Sequence, residues 1–196
     1  MITRDDSRQT RRSHAAKPSA VANFVWLVIL ALAGLGGSLV ISCVTPFVAL
    51  AVALAGTVRL ALALRAMTLI WLTNQLIGFA FLHFPRKENT VLWGLAIGGA
   101  AILSTFVASA VIKRMTNLST AAKLSIAFFL GFVLYEAALF VAALFIGGRE
   151  TFSAAIIAQV ALVNIAWLLG VVALNELVSI ACRSWIGMTP RLAQAS

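Results

Sequence analysis

Residues 20–58 read AVANFVWLVILALAGLGGSLVISCVTPFVALAVALAGTV, 39 positions without Asp, Glu, Lys or Arg. A helix crosses a bilayer core with about 20 mostly apolar residues. The run is too long for one crossing, so the chain must turn within it. Pro46 marks the place, because proline suits the first turn of a helix, where its missing N–H costs nothing. A turn at residues 43–46 therefore separates a first span over 20–42 from a second over 45–64.

Working outward, the same reading predicts a third span over 66–84 closed by Pro85, a fourth over 90–112, and a fifth over 124–146 followed by Gly147 and Gly148. A sixth begins near Thr151 and continues to Cys182. Such a helix would be about 48 Å long at 1.5 Å per residue, so its far end leaves the hydrocarbon. The expected fold is all-α, an integral membrane bundle of six transmembrane helices over residues 20–183. A basic, disordered tail (1–19) precedes it and a short tail (184–196) follows.

Composition agrees. Apolar residues make up 62% of the chain and charged residues 11%, with a mean hydropathy of +1.01. Ordinary globular chains hold about 25% charged residues, and a soluble domain of this size could not hide so much apolar surface. The 15 Lys and Arg test the topology. With a cytoplasmic amino terminus, twelve fall in the inner segments, and only Arg86, Lys87 and Arg149 fall in the outer loops. That bias matches the positive-inside rule. It predicts cytoplasmic ends and a multi-pass protein of the bacterial inner membrane. The net charge of +9 is thus an anchoring signal. The basic residues are scattered without interleaved aromatics, so no nucleic-acid partner is expected. The Arg11-Arg12 pair lacks the apolar residues of a twin-arginine signal, since Ser13, His14, Ala15 and Ala16 follow it; a retained anchor helix is expected.

Two features bear on function. Small residues recur at i, i+4: Ala33 and Gly37, Gly94 and Gly98, Ala138 and Ala142, Ala166 and Gly170. Such spacing lets helices approach closely in lipid, either within the bundle or, for the Ala33/Gly37 stripe, against a partner protein. Polar residues also fall at membrane depth, where each is costly. These are Thr73, Asn74 and Gln75 in the third span, Tyr135 and Glu136 in the fifth, and Gln159 and Asn164 in the sixth. Glu136 needs a partner, such as Asn74 or Gln75 on another helix, or a place on a cavity wall. Trp71 and Trp167 lie deep enough to line a cavity or to pack, whereas the other tryptophans suit the interfacial belt.

Enzyme signatures are scarce: no H-E-x-x-H, no G-x-S-x-G and no Walker loop. No enzyme and no intrinsic cofactor are expected. Cys43 and Cys182 fall at opposite membrane faces and cannot pair. His83 would stand at the outer end of the third span, either as an interfacial histidine or as the group that first holds an arriving solute. Its neutral imidazole is a ligand for borderline metals such as cobalt.

The six-span layout, the length and the missing ATPase resemble the substrate-binding S-components of energy-coupling factor transporters. Within that group, Ser42-Cys43-Val44-Thr45-Pro46 and the Asn74-Gln75, Gly78-Phe79 and Pro85 stretch are similar to the small solitary cobalamin transporters (BtuM-like). The resemblance implies corrinoid (cobalamin) uptake through outer loops around a six-helix pocket. A family cysteine at the end of the third span ligates cobalt. Ala80 and Phe81 stand near that place here, so His83 is the expected metal ligand, with Cys43 as the second candidate. Asn74, Gln75 and Glu136 would line the pocket, and Phe79, Phe81 and Phe84 would cover the ring. An energy-coupling ATPase module would dock through Ala33 and Gly37. Two other readings stand beside transport: a structural or assembly protein without a small ligand, and a small intramembrane enzyme using Glu136.

Overall fold

The computed structural model describes Val28 and residues 45–185, with residues 178–185 as backbone. Among these residues the chain is helical. The elements are α1 (Phe47–Thr57), α2 (Leu60–Ala80), α3 (Glu88–Arg114), α4 (Thr120–Ile146), a single 3-10 turn (Arg149–Thr151) and α5 (Ala154–Trp185). The helices α2 to α5 are each long and apolar enough to cross a membrane. Large apolar side chains on their outward faces, such as Leu76, Phe129, Phe145, Leu162 and Leu169, are exposed. This is a multi-pass membrane protein whose rim faces lipid. The expected first span, with Ala33, Gly37 and Cys43, lies outside the described residues, as do both tails.

The second span differs most from expectation. A helix over 45–64 was expected, but α1 has 11 residues and ends at Thr57. Val58 and Arg59 are extended, and α2 restarts at Leu60, five residues before the expected break at Arg65. The cause is local. Gly56 and Thr57 are weak helix formers, the Thr57 hydroxyl bonds back to the Ala53 carbonyl at 2.7 Å, and the Arg59 charge needs a polar surface. Arg65 becomes an exposed residue in the second turn of α2.

At 1.5 Å per residue, α1 is about 16 Å long, half a bilayer core. It is a buried core helix: every side chain from Phe47 to Leu54 is buried, against α2, α3, α4 and α5. A helix that is apolar all round can sit there because every face meets protein. α3 and α4 share the most extensive interface, closed by the Ser104 hydroxyl donating to the Gly131 carbonyl at 2.9 Å. α5 packs chiefly on α1.

The small-residue spacing in α3 works inside the bundle. A Cβ at Gly98 would run into the indole of Trp71, and one at Gly94 into the amide of Gln75. These glycines let α2 lie close, and Trp71 Nε1 donates to the Gly94 carbonyl at 2.8 Å. Gly170 has open space before it. With Ala166 and Trp167 it lines a shallow apolar groove on α5.

Candidate functional site: a cavity above a half-length helix

The core helix fills only half the space that the longer helices enclose. Its amino end stops at the depth of Asn164, ten residues and so about 15 Å along α5 from Ala154. There the Asn164 side chain, buried against α1, accepts from the Ala49 N–H at 3.1 Å and donates to the Val160 carbonyl at 3.0 Å. On the other flank, Asn74 Nδ2 donates to the Thr45 hydroxyl at 2.7 Å. These two amides, from α2 and α5, pin the start of α1 at mid-depth.

Above this floor, toward the α2–α3 and α4–α5 connections, lies a cavity of about 370 Å³. Each long helix contributes one stripe. α3 supplies Thr90, Trp93, Gly94 and Ile97, and α4 supplies Tyr135, Glu136 and Leu139. α5 supplies Ile156, Val160 and Asn164, and α2 supplies Asn74 and Gln75. Thr45 and Phe47 form the bottom, and Leu82, Phe84, Thr151 and Phe152 ring the mouth.

The mouth is built by two tight returns. After α2 the chain folds back so that the Phe84 N–H donates to the Gly78 carbonyl at 3.0 Å. The Phe84 ring then lies where a Cβ on residue 78 would stand, which makes Gly78 necessary. Phe79 packs edge-on against Phe84, centroids 6.1 Å apart. On the other side Gly147 and Gly148 take positive φ of 93° and 95°, which turns the chain over the end of α4. Phe152 then meets Phe140 edge-on at 5.5 Å.

Of the residues singled out from sequence, Asn74, Gln75, Phe84 and Glu136 come together on the cavity wall. Phe79 stands behind Phe84 and braces it. Phe81 is exposed, 72%, and outside the cavity. His83 is exposed too, in a left-handed backbone conformation (φ 54°), and does not line the cavity. Cys43 lies outside the described residues. Glu136 is half-buried and makes no hydrogen bond or ion pair among the described residues. Its suggested partners are engaged elsewhere: Asn74 holds Thr45, and Gln75 Nε2 reaches the Asn74 Oδ1 at 3.5 Å. No group of three or more His, Cys, Asp or Glu gathers among the described residues.

Tyr135, Trp93 and Asn164 were legible only as deep or interfacial residues, yet all three line the cavity. Trp71, which could have lined a cavity or packed, packs against Gly98. The available signal was the register: Val160 and Asn164 share one α5 face, as do Trp93 and Ile97 on α3. Comparison with known proteins returns no similar family model, no similar curated protein and no similar solved structure.

Proposed function

We propose that this chain is a membrane transport protein that takes a small solute into the cavity above α1. The carrying observation is that an 11-residue core helix stands among helices of 21 to 32 residues. The space it leaves is floored by amides and walled by an unpartnered carboxylate. A protein that only needed to pack would fill such a space, because buried polar groups and voids both cost stability.

The charge pattern supports an outer position for the mouth. Arg59, Arg65, Lys113, Arg114 and Lys123 lie at the far end, and the mouth carries Arg86, Lys87 and Arg149 beside Glu88 and Glu150. This agrees with cytoplasmic ends in a bacterial inner membrane. The resemblance to solitary S-components supports uptake, with an ATPase module docking through Ala33 and Gly37.

The resemblance names a corrinoid as the solute. The cavity is near the lower end of the range for drug-sized ligands, about 300–1,000 Å³. A corrinoid would rest on the mouth with a peripheral group inside, and His83, already at the surface, would face its cobalt. Native mass spectrometry of protein released from its own membranes tests the reading. The expected result is a bound small molecule that is lost in Ile97→Trp, which fills the cavity. No adduct on the wild-type protein, together with no spectral change on titrating cobalamin, would overturn it.

A further inference from the structure

The cavity's charge and wall chemistry restrict what it can hold, an inference that rests on the solute-binding reading above. Among the described residues, Glu136 is the only charged one lining it, and no Lys, Arg or His faces it. The carboxylate is half-buried and has no partner among the described residues. Beside it the Tyr135 side chain is more than nine-tenths buried, lines the same cavity and also has no hydrogen-bond partner. Two adjacent polar groups therefore face the cavity unsatisfied, and each costs free energy until something occupies it.

An anionic solute has nothing to bind. The amino end of α1 could attract one, but three of its first four N–H groups are used, and the fourth belongs to Val48, which is fully buried. The Phe47 N–H bonds to the Thr45 carbonyl at 2.8 Å, that of Ala49 to Asn164 at 3.1 Å, and that of Leu50 to the Pro46 carbonyl at 3.1 Å. An anion would meet Glu136 with no compensating cation.

The remaining wall is aromatic. Trp93, Phe84 and Phe152 line the upper cavity, and Phe47 and Tyr135 lie deeper. Ring faces attract cations, most strongly where water is excluded. We infer that the cavity takes a small organic cation, an ammonium or protonated heterocycle with a flat or apolar body, in place of the corrinoid that the resemblance names. Its charge lies against Glu136 and Tyr135, and its body lies among Trp93, Phe84 and Phe152.

The test uses three probes of one shape and different charge: phenethylammonium, phenethyl alcohol and phenylacetate. Binding to the full chain in lipid nanodiscs is measured by calorimetry at neutral pH. The cation should bind at least about tenfold more tightly than the alcohol, and the acid should bind weakest. In Glu136→Gln the cation's advantage should vanish while the alcohol's affinity is kept. Because Glu136 has no partner among the described residues, this variant should melt with the wild type; Trp93→Leu, lowering cation affinity more than alcohol affinity, is a second readout. Equal binding of cation and alcohol, an advantage that survives Glu136→Gln, or preference for the acid would overturn the inference. A bound adduct sensitive to Ile97→Trp would then leave the solute-binding reading intact, whereas absence of that adduct removes the site itself.

Discussion

Asn164 shows how one side chain can set the shape of a cavity. Its carbonyl oxygen takes the Ala49 N–H, and its amide nitrogen is held by its own helix. The first N–H groups of any helix lack intrahelical partners. In a soluble protein water would supply them; at mid-bilayer only another side chain can. Asn164→Leu keeps most of the volume but leaves the Ala49 N–H buried and unsatisfied, which costs about 1–3 kcal/mol. A buried serine gives the opposite case. The Ser109 hydroxyl is buried without a partner, so Ser109→Ala should stabilise by about 1 kcal/mol. Thermal melting of both variants in one detergent should move in opposite directions; a fall for Ser109→Ala would reveal a partner for its hydroxyl.

Among the elements, α1 and α5 are both apolar, yet they meet different surroundings. Leu50 on α1 is fully buried in protein, whereas Leu162 on α5 is 66% exposed to the rim. Truncating a packed leucine costs about 2–5 kcal/mol, because the cavity left behind does not collapse. Truncating a leucine at the surface costs within about 0.5 kcal/mol. Leu50→Ala should therefore lower the melting temperature sharply and Leu162→Ala hardly at all. Equal losses would mean that α5 is covered by protein at Leu162. The sequence shows little of this contrast. Around these two leucines both helices read alike, since a lipid-facing leucine and a core leucine satisfy the same hydropathy rule. The end of α4 was legible because Gly147 marks it. Its start was expected at Leu124 and lies instead at Thr120, where Ser119 caps the helix by accepting from the Ala122 N–H at 3.3 Å. The break at Val58 and Arg59 went unread because Arg65 offered an equally good stop six residues later.

At the scale of the whole molecule, the charge asymmetry sets a topology that labelling can check. With both native cysteines replaced, single cysteines at Arg86 and Arg149 should react with an impermeant maleimide added to intact cells. One at Asn117, in the α3–α4 connection at the other end, should react only after lysis. Labelling of Asn117→Cys from outside would invert the molecule and place the cavity mouth on the cytoplasmic face. The candidate site was partly legible at this scale. Asn74, Gln75 and Glu136 stood out because polar groups at membrane depth are costly. His83 stood out for its chemistry alone, and the return of the chain over Gly78 leaves it outside the cavity while Phe84 lines it.

The sequence by itself determined that this is a helical protein of the membrane, because hydropathy and span length are sums over neighbouring residues and need no knowledge of packing. It also showed which deep side chains would be hard to satisfy. Only the tertiary structure decided that one apolar segment stops at half depth, and that decision made the cavity. Its cause is a pair of contacts between distant positions, Asn164 to Ala49 across 115 residues and Asn74 to Thr45 across 29. Local patterning carries no trace of them, since hydrogen-bond partners meet through the fold and not along the chain.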